Sequence, residues 1–216
     1  MLKADLHIHT KYSYDCNTSL ESIIHRCLKV GINCVAIADH GTIAGALKLK
    51  ELAPFEVIVA EEILTPLGEI MGLFLQEEIP TRISAEEAIA QIKAQKGLIC
   101  LPHPFDPMRG IGKYHEIERL SPEINIIEVL NSRVMFSNAN RKAKLFAQEH
   151  GLLCSAGSDA HIPYEIGHAY VEMAEFKGSE EFRANLSQGK IFGRTSCPLV
   201  HLPTMWMEIK RRRGWR

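Results

Sequence analysis

The sequence predicts an α/β fold in which strands alternate with helices and close into a small or distorted barrel. Three observations predict it. Eight short apolar runs recur along the 216 residues. Segments with helical spacing and terminal stop signals lie between many of them. Chemistry-bearing polar residues stand at the C-terminal end of nearly every run, as they do at the mouth of a parallel barrel. Strand–helix alternation by itself leaves an open doubly wound sheet as the alternative.

The elements follow in order. Ala4–Ile8 is the first strand. Thr18–Val30 is a helix, with Leu20, Ile23, Ile24, Cys27 and Leu28 at helical spacing and Gly31 as its stop. Strands follow at Cys34–Ala38, Glu56–Ala60 and Ile70–Leu75. Ser84, with Glu87 three residues on, marks a helix start, and that helix runs to about Gln95 before Gly97. Leu98–Leu101 and Ile124–Leu130 are the next strands. A helix at Arg141–His150, closed by Gly151, leads to strands Leu152–Ala156 and Ala169–Met173. A last helix covers Ser179–Gln188, before Gly189.

The length fits one domain, expected over residues 1–200 with a basic tail over 201–216. A chain of this size buries roughly 70% of its unfolded surface, so its core needs no disulfides. Twenty-five basic and 26 acidic residues give a net charge of −1, which argues against a generic nucleic-acid or membrane binder. No apolar stretch reaches the ~18 residues of a membrane span, and MLKADLHIHT lacks the apolar segment of a signal peptide. The six cysteines form no C-x-x-C pair. Cys34, Cys100 and Cys154 lie in apolar runs and read as buried thiols, so a cytoplasmic location is expected.

The ten histidines carry the chemistry. The first strand ends Asp5-Leu-His7-Ile-His9. Residues two apart in a strand share a face, so His7 and His9 can hold one metal ion, with Asp5 beneath them to orient an imidazole. Asp15 follows in the next loop. Later strands end in Asp39-His40, in Glu61-Glu62, in Pro102-His103-Pro104 and in Gly157-Ser158-Asp159-Ala160-His161. Carboxylates interleaved with imidazoles at one end of successive strands are what a multinuclear metal centre requires, since carboxylates bridge cations and imidazoles complete their coordination.

The order D-L-H-x-H-T, S-x-D, D-H, x-E-I, P-H-P and G-S-D-A-H resembles the PHP (polymerase and histidinol phosphatase) family, from about Asp5 to His161. The resemblance implies a distorted (β/α)7 barrel. It implies hydrolysis of phosphate esters by a metal-activated hydroxide, with two to three divalent ions (Mn, Zn or Fe). By position, it makes His7, His9, Glu62 and Asp159 the ligands of one ion and Asp15, His40 and His161 those of a second. Glu62 with His103 would form part of a third. One departure is expected to weaken that third site: Met71 stands where many members carry a histidine, and a thioether suits a hard phosphatase metal poorly. Glu62 is preferred over its neighbour Glu61 on the family pattern.

A phosphorylated small molecule is the expected substrate. Arg133 and Asn131 follow a strand directly and are placed at the mouth. Arg109 and Lys113 sit in the loop after P-H-P, whose two glycines let backbone N–H groups approach an anion. Arg133 is the favoured phosphate ligand. Asp15, Arg133 and His168 are the catalytic candidates, His168 as a general acid. A nuclease on the same centre is the first alternative, with Tyr12 and Tyr14 to stack bases and the run Lys210–Arg216 to hold a strand. A metal-binding module without catalysis is the second.

Overall fold

The computed structural model describes residues 1–135, 137–202 and 204–206. Its elements in chain order are β1 (Leu2–Ile8), α1 (Leu20–Val30), β2 (Cys34–Ile37), α2 (Ala44–Leu52), β3 (Glu56–Thr65), β4 (Gly68–Leu73), α3 (Ala85–Ala94) and β5 (Leu98–Leu101). They continue with α4 (Tyr114–Leu120), β6 (Ile126–Asn131), α5 (Ser137–His150), β7 (Leu153–Gly157), β8 (Ala169–Met173), α6 (Gly178–Leu186) and β9 (Lys190–Gly193). The basic run Lys210–Arg216 lies outside the described residues.

The helix signals read from the sequence have a local cause. Ser19 caps α1 by accepting from the Ser22 amide at 3.2 Å, and Gly31 ends it at φ 76°. Ser84 and Glu87 form a reciprocal capping box on α3. Leu28, counted on the apolar face of α1, is exposed instead.

Strands β1 to β7 wrap around an interior of small and medium side chains. The hydrogen-bonded order is β7-β6-β5-β4-β3-β2-β1-β8-β9. The outer edge of β1 is shared. Its first half pairs antiparallel with β8, from Leu2 opposite Met173 to Ala4 opposite Val171. Its end meets the chain leaving β7: the Asp159 amide donates to the His7 carbonyl at 2.7 Å and the His9 amide to the Ala160 carbonyl at 3.0 Å. That contact closes the barrel at its mouth. It needs glycine at 157, where a Cβ would overlap the Cβ of His7.

The sheet is more mixed than strand–helix alternation predicts. β3–β4, β4–β5, β1–β8 and β8–β9 are antiparallel. β3 runs on to Thr65, past the expected end at Ala60, and turns straight into β4, so two strands form a hairpin with no helix between them.

Alternation sorts most strand residues. Cys34, Ala36, Ile58, Ala60, Met71, Leu73 and Cys100 point into the barrel, and α6 adds Phe182 and Leu186 to this interior cluster. Val35, Ile37, Val57, Val59, Ile63, Ile70 and Ile99 face the helices. Carried one step past the apolar stretch, the same inward parity delivers His40 from the β2 exit and Glu62 from β3.

Candidate metal centre

Eight titratable side chains proposed from the sequence come together at the barrel mouth. Glu62, fully buried, is their hub. Its carboxylate lies 3.3 Å from His7 Nε2, 3.4 Å from His9 Nε2, 3.1 Å from His103 Nε2 and 3.5 Å from His40 Nδ1. His9 Nε2 also lies 3.1 Å from His7 Nε2 and 3.4 Å from Asp159 Oδ1. Asp15 sits at the outer side, 3.0 Å from His161 Nε2 and 3.4 Å from His40 Nε2. Glu61 points elsewhere and accepts from the Ile79 amide at 2.9 Å, as the choice of Glu62 requires.

Two of these residues reach the centre by breaking regular backbone geometry. His103 has φ 27° and Asp159 has φ 54°, both in the left-handed region that non-glycine residues rarely occupy. Each stands where a strand has just ended, and the turn swings its side chain over the mouth. Such strain persists where surrounding packing holds it and concentrates at functional sites.

The reading of Asp5 is corrected. Asp5 does not lie beneath His7 and His9. Pairing of β1 with β2 is irregular between Asp5 and Ile8, and the break in alternation turns the histidines inward while Asp5 points to the edge. Its carboxylate accepts from the Ser158 amide at 2.8 Å and the Gly167 amide at 2.9 Å, and burial pushes it up to about 7. The partner that orients His7 is Glu128, 3.1 Å from its Nδ1. Glu128 is buried on β6, with its other oxygen accepting from the His103 amide and from the Asn131 side chain.

At position 71 the structure shows a core residue, and another residue of the same strand reaches the centre. Met71 lies directly opposite Glu62 in the β3–β4 ladder, inside the barrel core. The residue that reaches the centre from β4 is Glu69, two positions earlier on the same face. It lies 3.5 Å from His103 Nε2 and groups with His40 and Glu62. The parity with Met71 was the available signal.

Four overlapping groups of ligand atoms result, each with its atoms within 4.8 Å of one another: His9, Asp15, His40 and His161; His7, His9 and Asp159; His7, Glu62 and His103; His40, Glu62 and Glu69. The donor set is nitrogen and carboxylate oxygen throughout, which suits divalent first-row ions. Cluster-facing buried atoms of three of these residues have no hydrogen-bond partner: His40 Nδ1, Glu69 Oε2 and Asp159 Oδ1. Buried polar atoms are ordinarily paired, so this convergence fits cation binding.

Electrostatics separates the groups. Burial opposes charge on Glu62, but the imidazoles of His7, His40 and His103 hold its carboxyl well below the usual range. Burial likewise opposes ionisation of Asp159, and Arg109 and His7 overcome it. Burial disfavours the charged form of His40, yet Glu62 and Asp15 push it up to about 10. Burial, with His9 and Arg133 adding to it, brings His161 down to about 4, so its imidazole is neutral at pH 7. Burial and the Glu62 carboxylate raise Glu69 to about 7.

The expected anion-binding residues divide. Arg109 stands at the mouth, 28% exposed, and donates to Asp159 and to Asp106. Arg133 borders the same cavity but is 2% exposed. Its Nη2 donates to the Val200 carbonyl and Thr204 Oγ1, and its Nε lies 3.3 Å from Glu165 Oε1. Asn131 is buried beneath the cluster, donating to Glu128 and, at 3.2 Å, to Asp159. Lys113 is exposed at the start of α4 and does not line the cavity. His168 pairs with Ser196 at 2.9 Å and borders a different cavity, beside Arg26 and Phe192, so the structure does not bring it to the cluster.

A distorted barrel with a clustered nitrogen-and-carboxylate mouth defines the class of metal-dependent barrel hydrolases. Comparison with known proteins narrows it. Residues 137–191 match the PHP-associated family model. An uncharacterized protein of Methanocaldococcus jannaschii is 36% identical over 179 residues, covering 81% of this chain and 71% of that protein. Among solved structures, a two-domain protein of Bacteroides vulgatus containing a predicted PHP-like metal-dependent phosphoesterase superposes with a TM-score of 0.72. It has 16% identity and covers 95% of this chain and 69% of its own. A lesion-specific endonuclease of Pyrococcus furiosus superposes with a TM-score of 0.66 at 20% identity, over 88% of this chain and 57% of its own. At these identities the two structures speak for the fold. The chain belongs to the PHP family.

Proposed function

We propose that this protein hydrolyses phosphate esters of small organic molecules, nucleotides included, at the Glu62-centred cluster. The observation that carries the reading is one buried carboxylate within 3.5 Å of four imidazoles, with Asp159, Asp15, Glu69 and His161 around them. His7, His9, Asp15, His40, Glu62, His103, Asp159 and His161, joined by Glu69, are the ligands we assign to two or three divalent ions (Mn, Zn or Fe). Bound ions supply Lewis-acid charge and lower the pKa of water toward neutrality.

The chain's own groups do the rest. Glu62 and Asp159 present buried negative charge to cations. Glu128 holds His7 in the tautomer whose Nε2 faces the cluster. Arg109 takes the phosphate-binding role that the sequence assigned first to Arg133. It stands half-buried at the mouth, paired with Asp159 of the cluster and with Asp106, whereas the Arg133 guanidinium is buried against Glu165, Val200 and Thr204. A guanidinium grips phosphoryl oxygens in a bidentate fork and neutralises charge that builds on them. Among the described residues no helix is long and apolar enough to cross a membrane. Six free cysteines, four of them buried, support a reducing compartment such as the cytoplasm.

The test is an activity panel of phosphomonoesters, diesters and oligonucleotides with Mn, Zn and Fe. Metal-dependent turnover of small esters, abolished by chelator, is expected. Turnover confined to oligonucleotides would move the assignment to a nuclease. Stoichiometric metal uptake with no turnover of any phosphate ester would overturn the enzyme reading in favour of a binding module.

A further inference from the structure

A cavity of about 380 Å³ lies outside the barrel, between α1, the loop that follows β7 and the β8–β9 ladder. Among the described residues it shares no wall with the cavity at the metal cluster. Its volume is in the range of small-molecule sites, roughly 300–1,000 Å³.

Its wall brings together positive charge and flat rings. Arg26 on α1 and Arg194, just after β9, supply two guanidiniums. Arg26 Nη2 donates to the Tyr164 carbonyl at 2.9 Å, and its guanidinium carbon lies 5.7 Å from the centre of the Tyr164 ring. The Arg194 amide donates to the His168 carbonyl at 2.8 Å, which ties the second arginine to the same loop. His168 is buried in the wall beside them. Its Nδ1 lies 2.9 Å from Ser196 Oγ, and Nε2 has no partner among the described residues. Burial, with Arg194 and Arg26 adding to it, holds this imidazole below its ordinary value, so the fields of both guanidiniums meet there. Tyr170 and Phe192 stack in the wall, 5.5 Å between ring centres and 18° between planes. Phe192 and Tyr164 are exposed. Asp5 lies behind Gly167, fully buried, with its oxygens taken by the Ser158 and Gly167 amides.

We infer that this cavity is a second ligand site, separate from the metal centre, for a small organic phosphate that carries a planar ring and has about the size of a nucleoside monophosphate. Its anionic group pairs with Arg194 and Arg26, which otherwise bring like charge against each other and against a buried imidazole. His168 Nε2 adds a neutral hydrogen bond. The ring of the ligand stacks on the exposed aromatic surface of Phe192 and Tyr164. Either half alone leaves part of the wall unused: a free anion does not cover the rings, and an uncharged ring does not pair the arginines. Binding here does not rest on the phosphoesterase reading and is read without turnover.

The experiment is isothermal titration of the full chain, loaded with Zn, with the phosphonate analogue of adenosine monophosphate in which carbon replaces the 5′ ester oxygen and the P–C bond resists hydrolysis. Arg194→Ala and Phe192→Ala are the test variants. Both residues are exposed, so both variants retain the fold. The parent is expected to show a class of sites whose affinity falls about tenfold or more in each variant and stays within about twofold in Arg109→Ala. Adenosine and methylphosphonate, which carry the ring or the charge alone, are expected to bind this site at least about tenfold more weakly than the whole probe. No binding in the parent, or an affinity unmoved in both variants, overturns the inference. Binding lost in Arg109→Ala alone places the probe at the metal mouth and overturns it equally, as does methylphosphonate binding as tightly as the whole probe. A chain that turns over no phosphate ester but shows the expected pattern overturns the phosphoesterase reading and leaves this site standing.

Discussion

Glu128 and His7 meet at 3.1 Å beneath the metal centre, carboxylate oxygen to Nδ1. With Nδ1 donating, the lone pair of Nε2 faces the cluster, where it lies 3.1 Å from His9 Nε2 and 3.3 Å from Glu62. The same carboxylate holds the strained turn at His103 by accepting its amide at 2.9 Å. Glu128 therefore orients the His7 imidazole and steadies the turn at His103 while standing outside the ligand groups. Removing such a partner of a ligating histidine typically costs about 10–100-fold in metal affinity. Glu128→Gln is expected to weaken metal binding within that range, read by competition with a chelating dye. Parent-like affinity would show that packing alone orients His7.

Glu69 and Met71 make a second contrast, because they lie on one face of β4 and differ in depth. Glu69 reaches His103 and Glu62, while Met71 is 1% exposed in the barrel core. Glu69→Gln is expected to lower retained metal by about one equivalent after dialysis, by loss of one anionic ligand from one of the overlapping groups. Met71→Ala is expected to leave metal content intact and to cost about 2–5 kcal/mol of stability, the usual range for emptying a core methionine site. Metal loss in Met71→Ala with full retention in Glu69→Gln would return the third site to the weak form that the sequence first suggested.

What the sequence reveals about this site follows strand parity, and it fails where parity breaks. His40 and Glu62 are legible because the apolar alternation of β2 and β3 carries inward to them unbroken. Asp5 is misread because β1 loses register before Ile8. Glu128 is not proposed because a lone carboxylate in an apolar strand has no spacing partner, although its parity with Ile126 places it inside. α2 and α4 go unmarked for a different reason: neither has a side-chain cap at its N-terminus, so no residue announces the start. β9 is a four-residue, largely exposed edge strand and gives no apolar signal.

Glu61 and Glu62 are adjacent and point to opposite faces of β3. Glu62 contacts four imidazoles, while Glu61 accepts a backbone amide and takes no part in the cluster. Glu62→Gln replaces a charged, bridging-capable carboxylate by an amide and is expected to abolish both tight metal retention and turnover. Glu61→Gln keeps an acceptor oxygen for Ile79 and is expected to stay near the parent in both. A dead Glu61 variant beside an active Glu62 variant would place the strand one residue out of register.

Metal uptake is expected to release protons. Burial lowers the imidazole of His40, but Glu62 and Asp15 outweigh it and hold it up at about 10, and His7 and His9 are also raised by their carboxylate neighbours. At pH 7 the metal-free cluster therefore carries imidazolium at His40, and a ligating imidazole must be neutral. Protons compete with metal below these raised values, so apparent affinity climbs as pH rises through 7 toward 10. Each proton displaced contributes about tenfold per pH unit. The contribution to stability runs the other way: what His40 gains from its carboxylate partners is fully present below its ordinary pKa and is lost as pH rises through 10. Calorimetric titration in two buffers of different ionisation enthalpy measures the proton count. Zero release at pH 7 would show that the histidines are already neutral before metal arrives.

Arg109 and Arg133 border one cavity and are expected to fail in different ways. Arg133 is buried against Glu165, whose carboxylate also accepts the His161 amide at 3.0 Å and the Ile162 amide at 3.2 Å. Arg133→Ala leaves that carboxylate without its cation and leaves Val200 and Thr204 without a donor. Breaking a buried pair in this way costs about 3–5 kcal/mol at the upper end, less where the acid neutralises, and burial already pushes Glu165 up to about 7. The expected result is a lowered Tm, with kcat/KM of the folded protein changed by less than about threefold. Arg109 is at the mouth and contacts Asp106 and Asp159, the second of them assigned to the ions. Arg109→Ala is expected to cost less stability than Arg133→Ala and to lower kcat/KM by roughly 10²-fold, the scale of one charge-assisted contact to a transition-state phosphoryl group. Arg109→Lys keeps the charge but not the fork and should fall between the two. Full activity in Arg109→Ala, with a 10²-fold loss in a stably folded Arg133→Ala, would return the phosphate to Arg133.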